Sequence, residues 1–163
     1  MALSTSSSSA PARSRVNVRA PPCVSAGWGV GCTWSPPENL GAGVNTSSWE
    51  WGSTSSDGRY LYFSRHTPPT YADGELFRSE RTGATWGTAA NLGSINDPTA
   101  WDGIPSISVD GTTLTFSSNR SGSTITDIWQ SVWAGTDWAT PVRIISAGQH
   151  DHWPWLSPDG NRL

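Results

Sequence analysis

The sequence of 163 residues has no lysine, one methionine and two cysteines, and only 14% of its residues are charged. No apolar run approaches the roughly 18 residues that a membrane-spanning helix needs, so no membrane span is predicted. All 13 acidic residues but only seven of the ten arginines follow residue 22, which gives that part of the chain a formal charge of −6. Because nucleic-acid binding depends on Lys and Arg side chains that neutralise phosphates, nucleic acid is not expected as a partner.

Residues 1–22 lack almost everything that a folded core needs. The segment is rich in Ser, Ala, Pro and Arg, and a segment with so little apolar surface to bury is predicted to be disordered. It also has no apolar stretch of the kind that forms the centre of a secretory signal peptide, so no compartment is assigned from it.

The two cysteines, Cys23 and Cys32, have the wrong spacing for a CxxC redox pair or a zinc knuckle. Two interpretations remain open. The residues are either partly buried free thiols, or they form a disulfide across a short hairpin in an oxidising compartment. Neither a metal nor a cofactor is predicted from them.

Tryptophan, in contrast, is abundant, with 11 residues. Trp34, Trp86 and Trp138 follow one another at a constant spacing of 52 positions. The first two are followed by nearly the same phrase, NLGAGVN and NLGSIN, of which the third copy keeps only the apolar residues. Self-similarity at a fixed period indicates a repeat architecture.

Each repeat also contains an Asp-Gly pair at the end of a Ser-x-Asp-Gly phrase. The pairs are Asp57 and Gly58, Asp110 and Gly111, and Asp159 and Gly160. Such a pair between two strands predicts a tight hairpin, because glycine adopts positive φ angles and the aspartate side chain caps the turn. Since the aspartate recurs identically in every copy, we interpret these residues as a structural turn motif and not as a calcium or catalytic site.

Four short strands are predicted in each unit. One precedes the turn, the alternating runs YLYFS and TLTFS follow it, ELFRS and DIWQS form the third strand, and the repeat tryptophan begins the fourth. A unit of about fifty residues with four antiparallel strands is typical of a β-propeller blade. The predicted fold class is therefore all-β, a β-propeller of four-stranded antiparallel blades of which only about three are present. Apolar side chains are expected to fill the space between blades.

This interpretation divides the chain into a disordered segment and a partial propeller over residues 23–163. Within the propeller, the predicted units are the outer strands of one blade (23–46), a whole blade (47–98), a second whole blade (99–150) and the start of another (151–163).

The phrases SSDGRYLYFS, DGIPSISVDGTTLTFSSNRSGS and DHWPWLSPDGNRL resemble the WD-like repeat of the TolB-type β-propeller family. Asp102 and Asp151 match the acidic position of that repeat, from which the first copy departs. The resemblance covers residues 34–163 and implies a periplasmic or secreted setting. Family propellers close with about six or seven blades. The resemblance therefore also implies a fragment of a longer protein, whose total blade number stays open and whose open blade edges favour self-association.

Ligands of propellers usually meet the mouth of the central channel, where the innermost strands begin. The candidate binding residues at these positions are Glu50, Trp101, Asp102, His150, Asp151 and His152. Acidic and aromatic groups suit a cationic or carbohydrate-like small ligand, or a peptide of a partner protein. Two histidines and one acid on adjacent residues rarely converge on one ion, so no metal site is predicted.

No catalytic motif is found in the sequence: it has no GxSxG, no HExxH and no glycine-rich phosphate loop. The predicted function is that of a non-catalytic β-propeller module that serves as a binding platform for a protein or a small ligand, without a cofactor. The alternative is the propeller portion of a peptidase or glycoside hydrolase whose catalytic residues lie outside this chain. A third interpretation is a gene fragment without a stable fold.

Overall fold

The computed structural model describes residues 17–18, 37–55, 57–70, 72–122, 124–157 and 162–163. In this part of the chain the structure consists of strands and one 3-10 helix, Gly93–Ile95. The strands are β1 (Asn17–Val18), β2 (Glu38–Asn39), β3 (Trp49–Thr54), β4 (Tyr60–His66), β5 (Glu75–Thr82), β6 (Thr85–Trp86), β7 (Ala90–Asn91), β8 (Asp102–Ile107), β9 (Thr113–Ser118), β10 (Asp127–Val132) and β11 (Val142–Ile145).

Two antiparallel sheets in which each strand pairs with the next along the chain form the body of the molecule. The first has the order β3-β4-β5-β6, with β7 also paired to β5, and the second has the order β8-β9-β10-β11. β1 and β2 form a separate antiparallel pair. Two successive four-stranded meanders of this kind are propeller blades. The predicted fold class, an all-β partial propeller, is confirmed.

The core between the two sheets is built by the alternating side chains of their strands. Leu76 of β5 is buried in one cluster with Leu114 and Phe116 of β9, and Trp138 joins the same cluster. On the other face of the first sheet, Phe63 packs in a second cluster with neighbouring apolar residues, among them the chain segment that follows β2. The sheets are therefore held together by apolar burial on facing surfaces, as neighbouring blades require.

Residues 151–157 stack on the second sheet as β8 stacks on the first. The backbone N–H of Asp102 donates to the carbonyl of Gly74, which directly precedes β5, and the N–H of Asp151 donates to the carbonyl of Thr126, which directly precedes β10; both bonds measure 2.9 Å. Residues 151–157 are thus positioned by the same backbone contact that positions β8.

A β-bulge interrupts β8 between Gly103 and Ser106, where the register against β9 shifts. Ile104 within the bulge has a φ of +55°, and Trp153 has a φ of +61°. Each of these residues precedes a proline, and each lies two positions after the acid of its repeat. A branched or bulky residue in the left-handed region is rare, because its Cβ crowds the backbone.

The Ser-x-Asp-Gly turns close through side-chain bonds within the turn. In the first, Ser55 Oγ donates to Asp57 Oδ1 at 2.6 Å, and Gly58 has a φ of +66°. The N–H of Tyr60 then donates to Ser55 Oγ at 2.9 Å. The second turn repeats these features with the bonds Ser108 Oγ to Asp110 Oδ1 and Thr113 N to Ser108 Oγ, and with Gly111 at φ +73°.

Several predictions made from the sequence lie outside the described residues. Asp159 and Gly160 of the third turn belong to this group, as do Cys23 and Cys32, and of the segment 1–22 only Asn17 and Val18 are described. Within the described part of the chain, no helix has the length and apolar character needed to cross a bilayer.

Candidate functional site

Six aromatic and imidazole rings lie in contact at the end of the sheets where β3 and β8 begin. Neighbouring ring centroids along this row are 4.8 to 6.3 Å apart. We call the row the mouth cluster. In order of contact, its members are Trp153, Trp51, His66, Trp101, His152 and His150.

His66 lies at the centre of the mouth cluster and is fully buried. The indole Nε1–H of Trp101 donates to His66 Nδ1 at 3.1 Å, and His66 Nε2 lies 3.1 Å from Ser64 Oγ. Because an indole nitrogen only donates, Nδ1 accepts and the proton of the neutral ring is assigned to Nε2. Burial lowers the pKa of His66 to about 4, although the nearby charge of Asp73 acts in the opposite direction.

Gly74 lies next to His66 and leaves room for the indole of Trp101. A Cβ built on Gly74 would lie 2.6 Å from Trp101 Nε1 and 2.7 Å from His66 Cε1. The absence of a side chain therefore lets Trp101 lie against the backbone of the neighbouring blade. The same close approach allows the Asp102 N–H to reach the Gly74 carbonyl.

Two of the predicted binding acids, Glu50 and Asp102, are buried within their blades. Asp102 Oδ1 accepts from an Nη of Arg120 at 2.7 Å, and its Oδ2 accepts from the backbone N–H of Asp97 at 2.7 Å. Glu50 Oε1 pairs with Arg65 at 3.3 Å and accepts from the N–H of Thr46 at 3.1 Å. Each acid thus holds the loop that leads into its own strand and is neutralised by an arginine.

The third acid, Asp151, holds its loop in the same way but differs in charge balance. Its Oδ2 accepts from the backbone N–H of Ala147 at 3.0 Å, which corresponds to the bond from Asp97 to Asp102. Among the ion pairs of the described residues, none involves Asp151.

His150 and His152 stack on each other with ring centroids 5.3 Å apart and planes 7° from parallel. Both rings reach Thr126 Oγ1, His150 through Nδ1 at 3.4 Å and His152 through Nδ1 at 3.2 Å. Burial lowers the pKa of His152, and the charge of His150 lowers it further. No group of three metal-ligating side chains converges within the described residues.

A cleft of about 300 Å³ opens beside these histidines. It is lined by residues 150–155 together with Ile128, Ile145 and Leu163. Trp153 and Trp155 are each 67% exposed, which is high for the largest apolar side chain. The two indoles and the cleft thus form an exposed apolar surface at this end of the molecule.

Of the six predicted binding residues, the structure therefore brings Trp101, His150 and His152 together in the mouth cluster. Glu50 and Asp102 are buried, and Asp151 lines the adjacent cleft. Sequence reasoning missed His66, whereas Trp51 and Trp153 flank the predicted residues in the sequence but were not among the six. The strand register places His66 at the mouth, because Trp49 at the start of β3 pairs with His66 at the end of β4.

The fold and the mouth cluster define a partial β-propeller with an aromatic surface at one end of its blades. No protein-family model matches the chain, and no curated protein matches it. Among solved structures, a prolyl endopeptidase is similar, with a TM-score of 0.40 and 21% identity over 69% of this chain and 14% of that chain. At this TM-score the likeness carries no conclusion about what this chain binds or catalyses. The resemblance to the TolB-type repeat stays a prediction.

Proposed function

We propose that this chain is a non-catalytic β-propeller module that binds a neutral, carbohydrate-like ligand at the mouth cluster. The observation that carries the proposal is the row of six contacting rings from three successive blade units, whose central ring, His66, is buried and whose terminal ring, Trp153, is exposed. Flat indole faces offer a large apolar area with little loss of rotamer freedom. The C–H face of a sugar ring can pack on such a surface.

In the sequence, the acids near the mouth suggested a cationic ligand. The charges around the mouth cluster instead favour a neutral one. Glu50 and Asp102 are buried and paired with arginines, so their charges are already compensated. His66 is neutral at physiological pH, because burial lowers its pKa to about 4. At Glu50, Asp102 and His66 the site therefore offers no uncompensated charge to attract an ion, and Asp151 of the adjacent cleft is the one predicted acid without an ion pair within the described residues.

The same arrangement favours binding over catalysis. Glycoside hydrolysis needs two carboxyl groups that flank the scissile bond, and a buried carboxylate held by an arginine and a backbone N–H cannot approach a substrate. The exposed rings at the mouth supply stacking surfaces, which suit the orientation of a ligand.

The test is a titration of the chain with a panel of neutral oligosaccharides, followed by calorimetry and tryptophan fluorescence. Trp153→Ala is expected to weaken binding of any ligand found by about tenfold or more, since one stacked indole contributes on the order of 1 kcal/mol beyond its buried area. Trp155→Ala is the matched control, because Trp155 is equally exposed but does not belong to the mouth cluster.

Retention of binding in the Trp155 variant together with its loss in the Trp153 variant supports the proposal. The proposal is overturned if no neutral oligosaccharide binds, or if both tryptophan variants lose affinity to the same extent.

A further inference from the structure

We propose that Ile104 is a specificity-determining residue of the mouth cluster and selects a carbohydrate-like ligand with an apolar substituent, such as the methyl group of a 6-deoxy sugar. The inference rests on the binding function proposed above, to which it adds one residue and one chemical property of the ligand. It is carried by the backbone conformation of Ile104, by its exposure within β8 and by its link to His66.

The backbone of Ile104 adopts a conformation that a β-branched residue rarely takes. Its φ of +55° lies in the left-handed region, where the Cβ crowds the backbone and raises the free energy of the folded chain. A glycine would adopt this conformation without strain. Strained residues of this kind cluster at binding and catalytic sites, so the presence of isoleucine here points to a role for its side chain.

Ile104 is also the one residue of β8 that is not buried. The β-bulge between Gly103 and Ser106 takes it out of the regular alternation of the strand. Ile104 belongs to neither core cluster of the described residues, whereas Ile107 of the same strand is 8% exposed and lies in the cluster with Leu76. The side chain of Ile104 is therefore not part of the apolar core between the blades.

The backbone of Ile104 is linked to the centre of the mouth cluster. Its N–H donates to Ser64 Oγ at 3.3 Å, and the same oxygen lies 3.1 Å from His66 Nε2. Trp153 has the same left-handed conformation before a proline, and its ring lies 6.3 Å from that of Trp51. Trp51, Ile104 and Trp153 each lie six positions before the aspartate of their turn. The repeat thus assigns Ile104 to the same surface as these two indoles.

The chemistry of the side chain defines the group that it selects. Isoleucine offers no hydrogen bond, so a sugar hydroxyl placed against it loses its bonds to water without replacement. A methyl group at the same place removes further apolar surface from water. The indoles of Trp51 and Trp153 can stack on a sugar of either kind. Discrimination between the two sugars therefore belongs to Ile104.

The test compares the affinity of the full chain for sugars that differ by one hydroxyl group. The probes are the methyl glycosides of L-fucose and L-galactose and those of L-rhamnose and L-mannose, titrated by calorimetry. The chain is expected to bind the 6-deoxy member of a pair at least about threefold more tightly. Ile104→Asn is expected to abolish this preference, because asparagine also adopts the left-handed conformation and its amide can bond to a hydroxyl.

Urea unfolding separates a role at the surface from a role in the core. Ile104→Gly is expected to leave the unfolding midpoint unchanged or to raise it, because relief of the strained conformation offsets the loss of the side chain. Ile107→Gly is the matched control, with the same substitution in the same strand. It is expected to lower the midpoint by about 1 M urea or more, because it removes a buried side chain.

A preference for the 6-deoxy glycosides that Ile104→Asn abolishes, together with an undiminished midpoint for Ile104→Gly, supports the proposal. It is overturned if the parent chain shows no preference, if Ile104→Asn retains it, or if Ile104→Gly lowers the midpoint as much as Ile107→Gly does. If neutral oligosaccharides bind but the 6-deoxy glycosides do not, this inference alone fails. If no carbohydrate binds, the proposed function fails with it.

Discussion

At the scale of single residues, His66 shows how burial and one hydrogen bond decide the charge state of a side chain. Its Nδ1 accepts from Trp101, and its ring is enclosed between Trp51 and Trp101. A proton on Nδ1 would break the bond from the indole and leave a cation in an apolar environment. His66 is therefore a structural link between two blades as well as a member of the mouth cluster.

This link predicts that the protein loses stability as the pH falls from about 6.5 towards 4. The pKa of His66 is about 4 in the folded chain and near 6.5 in an unfolded one. Between these values the unfolded chain binds a proton that the folded chain does not, so the free energy of unfolding decreases on acidification, by roughly 2 kcal/mol. Urea unfolding at a series of pH values measures the effect.

His66→Asn is the control for this prediction, because an amide oxygen can accept from the indole of Trp101 but does not titrate in this range. The pKa of His152 is also lowered, so a part of the pH dependence with the same sign remains in the variant. An unchanged slope between pH 6.5 and 4 after the substitution would remove His66 as the cause. The pKa values of Asp57, Asp73, Asp97 and Asp110 are also lowered; these groups act in the same direction, but only below about pH 5 and mainly below pH 4.

The sequence identifies Trp101 and His152 as residues of the mouth, since both flank the first strand of a blade. It does not identify their contact through His66, because His66 ends a different strand and lies 35 positions before Trp101. Only the antiparallel register of β3 and β4 and the stacking of the next blade bring these rings together. The histidine is not part of the repeated pattern, because the second copy has Asn119 at the corresponding position.

At the scale of elements, the acid and the arginine of each blade tie the loop before the first strand to the end of the second strand. Arg120 donates to Asp102 and also to the carbonyl of Ile95 at 2.6 Å, so one guanidinium connects three parts of the chain. Turns and strands could be predicted from the sequence because hairpin chemistry and alternation are local. The ion pairs could not, because their partners are 15 to 18 residues apart.

We predict that Asp102→Asn lowers the free energy of unfolding by about 3 kcal/mol, because it leaves the charge of Arg120 buried without its counter-ion. The side chains of Arg120 and Asp102 are only 9% and 0% exposed. Glu80→Gln is the matched control. Its partner is Arg59, the two side chains are 58% and 48% exposed, and breaking such a pair costs less than about 1 kcal/mol.

Chemical denaturation of the two variants beside the parent chain measures the difference. Similar losses in both would mean that the buried pair contributes no more than a surface pair, and the loops would then be held by their backbone contacts alone.

At the scale of the whole molecule, burial is uneven among the strands. Most residues of β4, β8 and β9 are buried, whereas every residue of β11 is exposed. β11 is the last strand in the order of its sheet, and Val142 is 58% exposed. An edge strand with exposed apolar side chains is a template for pairing with another chain.

We therefore predict that the chain associates with itself through β11 and that Val142→Lys weakens this association by about tenfold, because a lysine on an edge opposes edge-to-edge pairing. Val132→Lys is the matched control. Val132 is 48% exposed and receives the same added charge, but it lies on β10, which is paired on both sides by β9 and β11. Sedimentation velocity over a range of concentrations measures the dissociation constant. An equal effect of both variants would show that net charge controls the association and that the edge does not, whereas an effect confined to Val142→Lys would locate the contact on β11.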